Sequence, residues 1–499
     1  VTSDKQNYGG KAVNASIWLL SGVMFSRLVN LAMTVALARL LVPADFGLVA
    51  LGTTLLAILT AITDLSLANA LIHHKELKRT DFDTAFTLSA IRGFVLASVM
   101  IGAGFVMADI YQDDRLIWVC CALGLRPLLS GLGSPRYVTY SKELNFKVVA
   151  FQEAMNYTAQ FLVSVAIAYY TASYWAIVGG NVVAALVGIV LVYWQAPYRP
   201  RISFAATGKI LSFSIWVTLS QVLMIIGNRF DNFLAGGVLG MSTFGAYNVG
   251  NTTTATITQS AIQPLERVLF PSFSKIVDDR KRLQVAFQKS QASLFSVGMP
   301  TGVGLALVAE PFVYLVLGPN WMIAATVMQF IAPVLGIQIV FGPTNAISYA
   351  LGATRLLFMR NLILFPLRVA VVFSGLYYYG LVGLLVARVI SGGLFVTLMN
   401  FYLVRKLTGL SVSAQCIVTW RAWVAGAAMT CCALSMRYYL GPITNNMDAT
   451  VSLLLTVIVG GVSYCAVHTA LWFLSGRSPI GIEAEIAKIL SKVWKRIAA

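Results

Sequence analysis

Apolar runs long enough to cross a bilayer fill residues 13–475 and leave only short polar connections between them. A helix of roughly 20 apolar residues spans the hydrocarbon core. Inside that core only helices and closed barrels satisfy every backbone polar group, and runs of this length suit helices. The chain is therefore expected to be an all-α polytopic membrane protein with 14 transmembrane helices. The expected spans of the first half are 13–40, 46–72, 84–108, 115–134, 148–171, 173–195 and 209–237. Those of the second half are 243–271, 288–317, 322–351, 357–379, 381–404, 422–440 and 450–475. Several exceed 25 residues, which implies tilt or projecting ends. Composition agrees, with 11% charged residues and a mean hydropathy of +0.78; soluble domains carry about 25% charged residues. The first twelve residues are polar and the run behind them far exceeds a signal h-region. No cleavable signal is expected, and the first helix would mediate membrane entry.

Charge fixes the orientation. Connections on one side, together with both termini, hold 26 Lys and Arg; the other side holds only Arg39, Arg115 and Arg437. The positive-inside rule then puts both termini in the cytoplasm. The net charge of +17 is spread one loop at a time, so it reads as topology and not as a nucleic-acid surface. Trp118, Trp175 and Trp321 fall at outer span ends, and Trp194, Trp420, Trp423 and Trp472 at inner ends, as an interfacial belt requires.

Residues 16–55 align without a gap on 214–253, an offset of 198. Ser16-Ile17-Trp18 recurs as Ser214-Ile215-Trp216, Asn30 as Asn228, and Phe46-Gly47 as Phe244-Gly245. Both copies open an odd-numbered span, so the repeat is parallel. The expected order is a cytoplasmic N-terminus 1–12, an N-lobe 13–196, a cytoplasmic linker 197–208 and a C-lobe 209–404. A cytoplasmic link 405–421, helices 13 and 14 over 422–475, and a tail 476–499 complete it. In that tail Ile482, Ile486, Ile489, Leu490, Val493 and Ile497 share one face while the lysines lie mostly off it. It reads as an amphipathic basic helix lying on the inner surface of the bilayer.

Catalysis has no visible apparatus. His73 and His74 lie in a loop and His468 late in the last span, so neither a Ser/His/Asp set nor a metal cluster is available. Five of six cysteines lie in apolar spans with no ligand spacing. No GxxxxGK[ST] loop exists to bind ATP, and no connection is long enough for a catalytic domain. The expectation is a transporter, not an enzyme, with no cofactor.

Charges at membrane depth carry the work, because each costs about 2.5–3.5 kcal/mol even on the mildest scale. Arg27, Arg92, Arg126, Arg229, Arg267, Arg368 and Arg388 fall within spans, against Asp64, Glu153, Asp231, Glu266 and Glu310. Arg267, Glu266, Glu153 and Glu310 are close enough to span ends to snorkel or serve structure, and Arg92 suits a lumen or an ion pair equally. Arg27, Arg126, Arg229, Arg368 and Arg388 are the candidate anion-binding residues. Arg229 and Asp231 are two apart on nearly opposite helix faces and cannot pair with each other. Asn30, Asn248, Asn251, Gln259 and Gln263 lie on polar stripes and are the candidate sugar contacts. Asp64 and Asp231 are the coupling candidates. Helix–helix hydrogen bonding is the competing reading for any single polar residue. Guanidinium forks suit phosphate, and amides suit hydroxyls, so the ligand has an anionic end and a polyol end. Pro127, Pro264, Pro300, Pro333, Pro343 and Pro366 fall inside spans, and five of these six in the second half. The second lobe is therefore expected to deform more.

Arg39-Leu-Leu-Val-Pro-Ala-Asp-Phe-Gly-Leu-Val-Ala50 resembles the segment after the first helix of polysaccharide-type flippases. Asn228-Arg-Phe-Asp-Asn232, Thr243-Phe-Gly-Ala-Tyr-Asn248, Leu269-Phe-Pro-Ser-Phe-Ser274 and Tyr174-Trp-Ala-Ile-Val178 are similar to the same group. These are the Wzx-type exporters of the multidrug/oligosaccharidyl-lipid/polysaccharide superfamily. The resemblance covers about residues 10–430. It implies two six-helix lobes in a V-shaped transporter fold, with two helices appended. It also implies an undecaprenyl-diphosphate-linked oligosaccharide flipped to the periplasmic leaflet for exopolysaccharide, capsule or O-antigen assembly. Polymerase and chain-length proteins of that pathway are the implied partners. A multidrug exporter of the same superfamily would want surplus acid for cationic drugs, where arginine is in surplus here. A membrane polysaccharide polymerase would want a large outer loop, and no outer connection exceeds about a dozen residues.

Overall fold

Apolar sequence, Gly and Pro at the breaks, and charged ends together set the helices seen in the computed structural model. It describes residues 2–63, 78–143, 145–207, 215–260, 269, 272–476, 481 and 483. Every regular element among them is helical. Among the described residues nine helices are long and apolar enough to cross a membrane, or up to eleven if two bent pairs each count as one. The chain divides into two compact units, 1–248 and 249–499.

Unit 1 contains α1 (Thr2–Leu40), α2 (Pro43–Ile62), α3 (Arg79–Tyr111) and α4 (Arg115–Gly131). After a short α5 (Val138–Lys142) come α6 (Phe146–Thr171), α7 (Trp175–Gln195) and the larger part of α8 (Ile215–Ser260). α3 packs on α4, α6 on α7, and α1 on α6. Half of the apolar stretch of α2 is buried, which makes it an inner helix of its unit. On α3, by contrast, Phe105, Val106 and Ile110 are all more than half exposed, as side chains meeting lipid tails would be.

The expected break between the seventh and eighth spans falls at Gly240, whose φ of 74° and ψ of 158° suit only a residue without Cβ. Beyond it, the repeated glycines meet. A Cβ on Gly245 would lie 1.8 Å from the Pro43 carbonyl oxygen, and one on Gly47 2.1 Å from that of Met241. Positions 198 apart in sequence thus touch backbone to backbone.

Unit 2 holds the end of α8, α9 (Arg280–Leu307), α10 (Ala309–Val316), α11 (Met322–Gln338) and α12 (Gly342–Ala350). Next are α13 (Thr354–Arg388), a π-helical turn over Val389–Phe395, α14 (Val396–Thr408), α15 (Val412–Leu440) and α16 (Asn446–Leu474). α13 turns at Gly380 (φ 56°, ψ −134°), the boundary expected between the eleventh and twelfth spans.

Three expectations need correction. The expected single span 288–317 begins earlier, at Arg280, where Asp279 caps it by accepting from the Arg282 N–H at 3.0 Å. It then bends by 64° at Val308. Pro311 causes the bend, since it has no N–H for the Leu307 carbonyl; Arg437 Nη1 donates to that oxygen instead, at 3.4 Å. Trp321 is not part of an interfacial belt: it is 1% exposed, folded under a 3-10 turn at Pro319–Trp321. Arg360, early in the expected span 357–379, and Arg421, at the end of the expected link 405–421, lie within α13 and α15. The tail 476–499 lies outside the described residues except at 476, 481 and 483.

Candidate functional site: arginines held by amides

In unit 1 the Arg126 side chain is exposed on α4, next to Pro127. Its Nη1 donates to Asn181 Oδ1 on α7 at 3.2 Å. Asn181 Nδ2 in turn donates to the Ile177 carbonyl at 2.8 Å, one turn back on its own helix. That bond fixes the amide so that its oxygen faces the guanidinium, which can only donate. Arg229 is exposed on α8, and no hydrogen bond or ion pair reaches it among the described residues. Asp231, two positions on, is 1% exposed. Arg27 and Asn30 are half-buried on α1, and the Asn30 carbonyl accepts from Thr34 Oγ1 at 2.9 Å. Asn248, the last residue of unit 1, is also half-buried.

Other polar groups serve packing. Asn232 Nδ2 donates to Thr54 Oγ1 at 3.1 Å, both buried, which ties α8 to α2. Arg92, which sequence left between lumen and ion pair, closes the carbonyl end of α2. Its Nε donates to Thr63 Oγ1 at 3.1 Å and its Nη2 to the Thr60 carbonyl at 2.8 Å.

In unit 2 Arg388 ends α13, immediately before the π turn. Such turns add a residue without breaking the helix and often mark functional positions. Gln338 Nε2 serves the Gly392 carbonyl of that turn at 3.1 Å. Arg388 Nη2 donates to Asn251 Oδ1 at 3.3 Å, so these two expected site residues meet in a direct hydrogen bond. Along α8, Thr252 and Gln259 are exposed and Asn251 half-buried. Thr254 and Thr258 are buried and bond back to the Gly250 and Thr254 carbonyls at 2.7 and 2.8 Å. One face of this polar helix is thus accessible and the other packed. Arg368 is half-buried on α13. Asp64 and Gln263 lie outside the described residues.

Sequence reading missed Arg360. Its Nη1 donates to Asn400 Oδ1 at 2.9 Å and to Asn345 Oδ1 at 3.4 Å. Its Nε and Nη2 reach Asn361 Oδ1 at 3.2 and 3.1 Å. The signal was present: from 311 to 447 the chain has eight Lys and Arg and no Asp or Glu. A lone Asn such as Asn400 inside an apolar helix also calls for a partner.

A common chemistry links Arg126 and Arg360. Each meets an amide oxygen, which orients the guanidinium without cancelling its charge. An arginine so placed keeps its positive charge and spare N–H groups for an anion. Carboxylate-held arginines also occur. Arg437 Nη2 pairs with Glu310, and Arg421 Nη1 lies 3.3 Å from Glu483 Oε1. Burial alone would raise the Glu483 carboxyl, but the hydrogen bond from His468 and the charge of Arg421 outweigh it and hold it below the ordinary range.

Residues 36–326, more than half of the chain, match the family model described as "Polysaccharide biosynthesis protein". The chain belongs to this family of polysaccharide biosynthesis proteins. It is 23% identical over 419 residues to the lipopolysaccharide biosynthesis protein WzxC of Escherichia coli (strain K12), covering 82% of this chain and 84% of that one. It is 24% identical over 416 residues to an uncharacterized membrane protein in the cps region of Klebsiella pneumoniae, with the same coverage. Among solved structures, the lipid II flippase MurJ in its inward closed conformation superposes with a TM-score of 0.70 at 12% identity. That match covers 91% of this chain and 99% of MurJ and shows a shared fold. The protein is thus a multi-pass membrane transport protein of polysaccharide biosynthesis.

Proposed function

We propose that this protein flips an undecaprenyl-diphosphate-linked oligosaccharide repeat unit from the cytoplasmic to the periplasmic leaflet of a bacterial inner membrane by alternating access. The observation that carries the reading is the amide-held arginine. Diphosphate needs positive charge that is still available, and Arg126 and Arg360 are oriented by Asn181 and by the Asn345, Asn361 and Asn400 set; Arg388, beside Asn251, joins them in this reading. Arg27, Arg229 and Arg368 complete the anion set in this reading. Asn30, Asn248, Asn251, Gln259 and Gln263 contact sugar hydroxyls, and Asp64 and Asp231 couple the cycle to an ion gradient. The polyprenyl tail stays in the bilayer, so only the head group needs a polar route.

The proposed architecture has 14 spans, with two parallel six-helix lobes over 13–196 and 209–404, two appended helices, and both termini cytoplasmic. Contact between the repeat-equivalent Gly47 and Gly245 supports the parallel repeat, because equivalent residues meet where two like halves are related by a twofold axis. A multidrug exporter of the superfamily would bind cations, which the arginine surplus repels.

Deletion of the gene with analysis of lipid-linked intermediates tests the proposal. Accumulation of the lipid-linked unit on the cytoplasmic side, with loss of the polymer, is expected. Arg229→Ala should reproduce that state while the protein still inserts. Absence of any accumulated lipid-linked sugar would overturn the substrate assignment.

A further inference from the structure

Arg360 is the seventh residue of α13, about 9 Å along the axis from the helix start at 1.5 Å per residue. The positive-inside reading puts that start at the cytoplasmic face. The head-group region is several ångströms thick on each side of a core of about 30 Å, so Arg360 lies near the level of lipid phosphates. Asn345 and Tyr349, one turn apart on α12, are both exposed beside it, whereas Asn400 on α14 is 4% exposed. The Arg360 side chain is itself half-buried, anchored on the buried Asn400 and bordered by the exposed Asn345.

Counting donors shows what the cage lacks. Four of the five guanidinium N–H groups are used on amide oxygens, which leaves one on Nη2. Asn345 and Asn400 each spend only their oxygen on Arg360, and neither Nδ2 donates to another described residue. One guanidinium N–H and the amide N–H groups of the exposed Asn345 thus remain available beside one positive charge, with no described carboxylate in ion-pair reach. A charge placed this way is costly unless an anion arrives. Phosphate oxygens supply both the missing charge and the missing acceptors.

We propose that Arg360, Asn345 and Asn400 form a binding site for the phosphate group of a lipid at the cytoplasmic end of unit 2. It is a station distinct from Arg126 and Arg229, which belong to the other compact unit. The site itself stands on the cage; only the identity of its lipid rests on the flippase reading. In that reading it receives the diphosphate before the head group moves inward.

The deciding variant is Asn400→Asp, which keeps shape and grip on Arg360 but cancels its charge. Purified full-length protein in a zwitterionic detergent is titrated with inorganic diphosphate. In a second arm, phosphatidylglycerol retained through delipidation is quantified against phosphatidylcholine. Asn400→Asp and Arg360→Gln are expected to weaken binding by about tenfold or more, while the Asp variant melts no lower than the parent because it gains an ion pair. Loss in the diphosphate arm alone assigns the site to a diphosphate lipid; loss in the phosphatidylglycerol arm alone assigns it to bulk anionic phospholipid. Each of these supports the site. Unchanged binding of both probes in Asn400→Asp, or no binding by the parent protein, overturns it and reduces the cage to a tie between α12, α13 and α14. The deletion experiment judges the flippase reading separately and can succeed when this one fails.

Discussion

Arg437 and Arg360 belong to the same acid-free stretch of unit 2, yet they are held in opposite ways. Arg437 gives one nitrogen to Glu310 and another to the Leu307 carbonyl that Pro311 cannot serve. Its charge is neutralised and its geometry braces the bend between α9 and α10. Arg360 meets only amide oxygens, so its charge is oriented and retained. Both lie within helices of unit 2, toward helix ends. Partner chemistry, not depth, separates a structural arginine from a binding one. Arg421 beside Glu483 follows the first pattern, and Arg126 beside Asn181 the second.

The strongest way to break this contrast is to remove an amide-held charge and watch transport and folding separately. Arg126→Gln should lower export by about 100-fold, since a charge-assisted bond to a bound phosphate contributes up to roughly 3 kcal/mol. Its melting temperature should barely move, because a single neutral bond to Asn181 is lost. Polymer yield and a thermal melt in detergent read the two effects. If folding fails and export per inserted molecule does not, Arg126 is structural.

Changing the partner sharpens the contrast further. Asn251→Asp would give Arg388 a carboxylate in place of an amide 3.3 Å away. Export should fall about tenfold with stability held or raised. The reciprocal change, Glu310→Gln, should leave export intact and cost roughly 1 kcal/mol of stability. The Arg437–Glu310 side chains are 23% and 36% exposed, so solvent screening keeps this value small. An export defect in Glu310→Gln larger than that in Asn251→Asp would invert the assignment.

The same contrast explains what could be read from sequence. Helices were legible because apolar length and charge asymmetry are local properties. The breaks at Gly240 and Gly380 were legible because only glycine tolerates those backbone angles. The 64° bend at Val308 was harder to foresee, since Pro311 sits near a span end where proline usually does little. Arginine at membrane depth could be flagged from spacing, but its partner could not. Asn181 lies 55 residues from Arg126, and Asn400 lies 40 from Arg360, so each pairing is a product of packing. Arg360 was missed because counting it as a cytoplasmic loop charge satisfied the topology rule and closed the question.

The smallest effect lies outside the membrane and serves as the control for a carboxylate-held arginine in water. Between α3 and α4, Asp113 accepts from Arg115 Nε at 2.9 Å and Nη2 at 2.7 Å. The hydrogen bonds from Arg115 hold the Asp113 carboxyl below its ordinary range. A carboxyl lowered on folding adds stability above its unfolded value of about 3.9, and that gain disappears as pH falls through the lower folded value. The Arg115 side chain is half exposed, so the contribution is a few tenths of a kcal/mol. The melting-temperature gap between the parent and Asp113→Asn should stay constant from about pH 7 to pH 5 and close below about pH 4. A gap as large as that of Glu310→Gln would show that water does not discount the outer pair, and the distinction between braced and available arginines would then have to rest on transport alone.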